Sequence, residues 1–358
     1  MPYDDSVRDT KIALEARDLG KRFGELWALR HLDLNVPTGR VLGLLGHNGA
    51  GKTTAIRILT TLAQPTEGTA AVAGHDVVTA GAAVRSAIGV AAQAATVDGL
   101  LTARANLEMV GRLYHLSRAE ARQRASELLE QVDLVEFGDK LVKEFSGGMR
   151  RRLDLAASFV AKPRVLFLDE PTTGLDPRSR NELWELLRER VRQGTTVVLT
   201  TQYLDEADQL ADDIVVLDHG EVAARGTPAE LKQRIGGDRI VVSVGDPSLV
   251  AHACGVLAPF SEQDPVVESG ETVNPQGITI SDGPIRVVIR AKPSLRLVEV
   301  VRALDQNGID ALDIARRETT LDDVFLAITS AKRGRYQIGQ STARNSPESL
   351  DRLGTVAK

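Results

Sequence analysis

Apolar and polar residues follow three different rhythms along this chain. Short unbroken apolar runs at Val41 to Leu45, Ile88 to Ala92, Val165 to Leu168 and Thr195 to Thr201 have the length of strands buried on both faces. Before the first of them, Ala13 to Leu19, Leu26 to Leu29 and the alternation Leu32, Leu34, Val36 predict a small antiparallel sheet that stops at Pro37-Thr38-Gly39. Thr69 to Ala73 resumes as a strand, and Asp213 to Leu217 and Glu221 to Ala224 are strands separated by Asp218-His219-Gly220. Helical spacing appears at Leu107, Val110 and Leu113. It returns in a helix opened by the capping box Ser117-x-x-Glu120 and running to about Val132, and again at Leu153, Ala156, Ala157 and Val160. Asp176 caps a helix with Pro177 at its first position and Gly194 at its close, and Thr227-Pro228 opens another to about Ile235. Strands that alternate with helices predict an α/β fold, interrupted by a helical insertion at about residues 96 to 160.

The pattern changes after Gly236-Gly237, which reads as a linker. Strands at Ile240 to Val244, Gly277 to Ser281 and Ile285 to Arg290 surround a polar acidic loop from Ser261 to Gln276. Then come a helix with Leu297, Val301 and Leu304 on one face, ended by Gly308, a strand from Ile309 to Arg317, and a last helix capped by Thr320. The expected division is an N-terminal tail at 1–10, a main domain at 11–235, a compact α+β domain at 238–330 without a catalytic constellation, and a disordered tail at 331–358.

A chain of 358 residues, 42% hydrophobic, can bury a substantial core in two globular units. No run approaches the ~18 apolar residues of a spanning helix, and the polar start MPYDDSVRDT lacks a signal peptide's apolar region, so a cytoplasmic protein is expected. A lone Cys254 agrees with a reducing compartment. The net charge of −5 argues against a general nucleic-acid binder.

The strand Val41 to Leu45 runs into Gly46-His47-Asn48-Gly49-Ala50-Gly51-Lys52-Thr53, then Thr54 and a helix from Ala55 to Leu62. This matches the phosphate loop G-x-x-x-x-G-K-[ST] in the strand, loop, helix context that the motif requires. Gly46, Gly49 and Gly51 let the backbone turn its N–H groups onto phosphate oxygens, and the helix N-terminus adds partial positive charge. Lys52 is placed to reach the β and γ phosphates, and Thr53 to offer a hydroxyl to Mg²⁺.

Four further stretches carry candidate chemistry. Asp169-Glu170 sits at the carboxyl end of a buried strand, where open parallel sheets bind ligands. Asp169 suits an outer-sphere contact to Mg²⁺, and Glu170 a base or water-orienting role in attack on a γ-phosphate. Gln93 follows another strand end, from which an amide reaches Mg²⁺ or a water. Phe145-Ser146-Gly147-Gly148-Met149 opens a helix as a second possible anion site. Arg150, Arg151 and Arg152 in its first turn oppose the helix dipole; either they point to water or something anionic lies nearby. Phe23, in a Lys-Arg-Phe-Gly turn, is open to purine stacking or to plain packing.

Together GHNGAGKTT, FSGGM after a helical insertion, and VLFLDEPTTGLDP resemble the ATP-binding cassette (ABC) family over about residues 11 to 235. The resemblance implies a phosphate-loop NTPase of the ABC ATPase type, α/β with antiparallel β and helical subdomains. Gly46 to Thr54 would be the Walker A loop, Gln93 the Q-loop glutamine, and Ser146 to Met149 the signature. Asp169 would be the Walker B aspartate, Glu170 the catalytic glutamate, Asp176 the D-loop aspartate and Phe23 the adenine-stacking aromatic. It also implies two copies meeting head to tail, each signature closing on the ATP and Mg²⁺ at the other's Walker A loop. The anion near the arginines would then be that nucleotide or a nearby carboxylate. The run LTTQYLDEADQLADDIVVLDHG, with SGGMRRRLDLAASFV and LDDVFLAIT, is similar to the daunorubicin/doxorubicin-resistance branch of bacterial exporters. That implies a motor subunit on the cytoplasmic face of the membrane, paired with a separate permease, with a C-terminal domain supporting assembly.

One position departs from the family. Where a histidine usually contacts the γ-phosphate, this chain has Gln202, whose amide cannot become cationic. Slow ATP turnover that depends little on pH is expected. The rival readings are a soluble ABC ATPase acting on ribosomes or DNA, and a non-catalytic nucleotide switch or drug-sequestering protein.

Overall fold

The computed structural model describes residues 11–92, 96–234, 238–273, 279–292, 294–317 and 319–328. The tail at 331–358, the Gly236-Gly237 linker and Gln93 lie outside them. The chain divides into two compact units, Met1–Pro228 and Ala229–Lys358.

The first unit runs β1 (Ile12–Phe23), β2 (Leu26–Pro37), β3 (Val41–Leu45), α1 (Lys52–Leu59), β4 (Glu67–Val72), β5 (His75–Asp76), α2 (Gly81–Ala87), β6 (Ile88–Ala91), α3 (Ala103–Leu113), α4 (Arg118–Gln131) and α5 (Gly147–Ser158). It continues with β7 (Val165–Asp169), α6 (Pro177–Arg192), β8 (Thr196–Thr201), α7 (Leu204–Leu210), β9 (Asp213–Asp218) and β10 (Glu221–Gly226); α8 (Pro228–Arg234) follows. Strands β2-β1-β4-β5 make the antiparallel sheet expected from the alternation. The predicted strands at Ala13 and Leu26 each extend farther than their apolar residues, because β1 and β2 pair from Ile12↔Pro37 to Phe23↔Leu26.

The apolar runs form the centre of a six-stranded sheet in the order β10-β9-β3-β8-β7-β6, parallel except for β10. Alternate side chains along these strands enter two different cores. Leu42, Leu44, Phe167 and Val198 pack toward Ile58 and Leu59 of α1 and toward the antiparallel sheet. Val41, Leu166, Leu168, Val197 and Leu199 pack toward α3, α4, α5 and α6 through Leu107, Leu128, Leu153 and Leu183. Burial on both faces explains the near-continuous apolar composition of β3, β7 and β8. The Ser117–Glu120 capping box is present with both of its bonds.

The second unit is β11 (Arg239–Val244), α9 (Val250–Leu257), β12 (Val266–Val273), β13 (Thr279–Arg290), α10 (Leu297–Gln306) and β14 (Ala311–Arg317), with residues 321–328 helical. Its sheet, ordered β12-β13-β11-β14, buries Ile240, Val242, Val287 and Ile289 against Leu257 of α9 and Val300 and Leu304 of α10. The polar stretch expected to be a loop contains β12, and two expected strands merge into β13. An edge strand borrows its ladder from its neighbour, here from Val266↔Val288 to Val273↔Thr279, and needs no apolar alternation of its own. Helix α9 was not foreseen either, because VAHACGVL carries no polar stripe to set off a helical face.

Candidate functional site

Strand register brings the candidate residues to one edge of the large sheet. Leu44 pairs with Thr200 and Asp169 with the same Thr200, so β8 lies between the phosphate loop after β3 and the acids after β7. Ala91 of β6 pairs with Leu168, which places the chain leading to Gln93 at that edge as well. Gln202 follows β8 and is exposed.

The loop's glycines are fixed by space as well as by dihedral angle. Gly46 (φ 156°) leaves no room for a Cβ, which would lie 2.5 Å from Leu217 O and 2.8 Å from the Ala50 side chain. Gly51, at φ 107°, is the N-cap of α1 and approaches Ala28 O so closely that a Cβ would sit 2.7 Å away. Lys52 is 5% exposed and donates from Nζ to Gly46 O (2.6 Å) and His47 O (3.2 Å), with Glu170 Oε1 at 4.0 Å. Burial lowers its pKa, and the charges of Glu170 and Asp169 oppose that shift. His47 is anchored by Nδ1 to Asn48 O (2.7 Å) and by Nε2 to Asp218 Oδ1 (3.1 Å). Ala50 is buried, while Asn48 and Gly49 are exposed at the loop tip and Thr54 is half-buried.

Thr53 Oγ1 lies 3.4 Å from Asp169 Oδ2, and the other Asp169 oxygen accepts from Thr200 Oγ1. The Glu170 N–H donates to both Thr200 O and Thr200 Oγ1, each at 3.1 Å. Glu170 itself has φ 49°, a left-handed conformation uncommon for a non-glycine residue. Thr200 was missed by sequence reasoning; its only signal was a polar residue inside a fully buried strand, LTT before Gln202. A hydroxyl, a buried carboxylate and loop N–H groups fit a Mg²⁺–phosphate pair, since Mg²⁺ takes few protein ligands and shares phosphate oxygens. Among the described residues, the His, Asp and Glu groups clustered closely enough to hold a metal by themselves are His47, Asp218 and His219, without Thr53 or Asp169.

A second constellation lies at two neighbouring helix starts. Ser146 caps α5, its Oγ accepting from Met149 N–H at 3.2 Å, and Ser146 and Gly147 are exposed. A Cβ on Gly148 would lie 3.0 Å from Ser179 Oγ, so this turn touches the start of α6. There Asp176 accepts from Ser179 N–H (3.0 Å) and Ser179 Oγ (2.8 Å), bonds that hold its carboxyl below the usual range. Phe23 ends β1 at 54% exposure with the Lys21 ammonium 5.2 Å from its ring centre.

Of the three arginines, Arg150 is half-buried and the other two are tied down within the subunit. Arg151 is buried and bonded to backbone carbonyls and to Asp154, so of the two sequence-based options for it the nearby carboxylate is found and the solvent is not. Arg152 lies 3.8 Å from Glu182 and donates to Val132 O (3.2 Å).

The model of the ABC transporter family matches residues 29–173. A daunorubicin resistance ATP-binding protein of Streptomyces coeruleorubidus is 51% identical over 317 residues, 88% of this chain and 95% of that protein. The chain belongs to the ABC transporter family of ATP-binding proteins. A doxorubicin resistance ATP-binding protein of Mycobacterium tuberculosis is 42% identical over 90% of this chain and 96% of its own length. A Nod factor export ATP-binding protein of Sinorhizobium fredii is 36% identical, covering 91% and 89%. Among solved structures, a dimeric post-hydrolysis state of an ATP-binding cassette bound to ADP and Pi superposes with a TM-score of 0.55 at 27% identity, over 60% of this chain and 98% of that one. The fold is therefore that of an ABC ATPase, as the motif order implied, and the family binds and hydrolyses ATP. No helix among the described residues is long and apolar enough to cross a membrane.

Proposed function

We propose that this ABC ATPase is the motor subunit of a bacterial exporter that drives efflux of a drug- or antibiotic-like compound through a separate permease, from the cytoplasmic face of the membrane. Two copies enclose ATP between them, the phosphate loop of one facing Ser146, Gly147 and Gly148 of the other, with Asp176 at the junction. The observation that supports this best is the split between an interlocked Lys52, Thr53, Asp169 and Glu170 and an exposed helix start at Ser146. One half is a phosphate and cation cradle; the other is a set of N–H donors open to an anion from outside.

Thr53 would hold Mg²⁺, with Asp169 behind it and Gln93 as a further ligand; the ion would neutralise charge on the β and γ oxygens. Lys52 exchanges its loop carbonyls for phosphate oxygens, Glu170 orients and deprotonates the attacking water, Gln202 donates to the γ-phosphate, and Phe23 stacks on the adenine. Two relatives named for daunorubicin or doxorubicin resistance and one for Nod factor export support an exporter of a drug- or antibiotic-like compound.

ATP hydrolysis by the purified chain, alone and with membranes carrying its permease, tests the reading beside Glu170→Gln. Turnover is expected to rise with permease and to collapse in the variant. A variant as active as the wild type would remove Glu170 from catalysis and the motor role with it.

A further inference from the structure

Two side chains in the first two turns of α5 are buried and occupied in a way that holding nucleotide does not require. Arg151 is 9% exposed, and its donors point at main chain. Nε donates to Pro171 O (2.7 Å), Nη1 to Ala92 O (2.7 Å), and Nη2 to Asp169 O (3.3 Å) and Glu170 O (3.2 Å). Three successive carbonyls around the catalytic carboxylates thus turn inward onto one guanidinium. Nη1 also meets Asp154 Oδ2 at 3.3 Å, and Asp154, 1% exposed, accepts with Oδ1 from Thr96 N–H (2.7 Å) and Thr96 Oγ1 (2.6 Å). Ala92 and Thr96 are the residues on either side of positions 93–95.

Burying this cation is costly, and the cost is visible: desolvation lowers the Arg151 pKa against the opposing charges of Asp154, Glu206 and Asp169. A planar five-donor fork justifies that cost where carbonyls from two segments must be held at once, which a lysine's compact ammonium cannot do. The held segment includes Glu170 in its left-handed conformation. The Arg151 guanidinium donates to its carbonyl while Thr200 accepts from its N–H, so that backbone is held from both sides.

We infer that Arg151, braced by Asp154, is a positioning residue that transmits movement of the signature helix to Glu170 and to the two flanks of Gln93. When Ser146 to Gly148 engage nucleotide on a second copy, α5 shifts as a rigid rod. The guanidinium carries the shift to the Glu170 backbone and so sets the carboxylate against the γ-phosphate. The inference rests on the ATP-sandwich reading above.

The test uses the full-length chain with Arg151→Lys, and with Asp154→Asn as a milder probe that keeps the acceptor for Thr96. Kinetic constants are measured for each, and ATP-dependent dimerisation is measured with each change added to Glu170→Gln. For Arg151→Lys the expected result is kcat down at least tenfold with KM and dimerisation within about twofold of the parent, and for Asp154→Asn a smaller fall in the same sense. Unchanged kcat in a chain that dimerises normally would overturn the inference alone, as would parallel losses of kcat, affinity and dimerisation in both variants, which mark a purely structural role. Failure of Glu170→Gln itself to dimerise with ATP would remove the sandwich reading, and the inference with it. If Arg151→Lys does not fold, Asp154→Asn decides by the same criteria.

Discussion

An amide at position 202 cannot gain charge as pH falls, so kcat should stay nearly level from about pH 6 to 8, the range in which a histidine would titrate. Gln202→His should introduce a slope there and raise the maximum rate. A steep wild-type profile that Gln202→Ala abolishes would contradict this. Lys52→Ala removes a preorganised cation from the phosphate cradle and should lower kcat by about a hundredfold or more, as loss of one such charge-stabilising group does elsewhere. Glu206 gives a pH signature of stability. Fully buried beside Thr201, Thr172 and Trp184, it has its pKa raised by desolvation, only partly offset by those groups and by the Arg151 charge. An acid that folding makes weaker is neutral in both states below its ordinary 4.5, so it exerts no penalty there. As pH rises above that value the unfolded chain ionises first, and stability falls until the raised native pKa is reached. Denaturation midpoints of wild type and Glu206→Gln should therefore diverge in favour of the variant as pH increases through that window; parallel curves would show that Glu206 is not held neutral.

At the scale of elements, the sequence showed most clearly what local chemistry alone dictates. Asp176 at the start of α6 is such a case: position, cap and the proline after it were all legible, and Asp176→Ala should destabilise the start of the helix, read as a lower thermal midpoint. The phosphate loop was legible for a similar reason, since glycine spacing reports backbone angles. Gly51→Ala should lose nucleotide binding, because a Cβ meets Ala28 O from another strand. What could not be read were features set by partners distant in sequence. Thr200 looks like one more β-branched strand residue until β7 is placed beside it. Arg151 looked equally fit for water until the carbonyls of Asp169, Glu170 and Pro171 were seen to converge on it. Strand β12 was hidden because its neighbour supplies its order.

At the scale of the assembled molecule, the two constellations make a complementation test. Lys52→Ala destroys a phosphate loop and Ser146→Arg blocks a signature turn, so each chain alone should be inactive. Mixing them should restore turnover, because a mixed dimer holds one site with an intact loop and an intact signature. No recovery, with mixed dimers present, would exclude the head-to-tail arrangement. The central position of β3 has another consequence, for how the chain is made. Its neighbours are β8 and β9, and Gly39 N–H bonds to Thr196 Oγ1 across 157 residues of chain. At roughly 5–20 residues per second, the ribosome exposes the apolar edges of Val41–Leu45 for about 8 to 30 s before their partners are synthesised. A phosphate loop completed early in translation must wait for its sheet, and that interval is when a nascent copy is most exposed to pairing with another and most dependent on a chaperone.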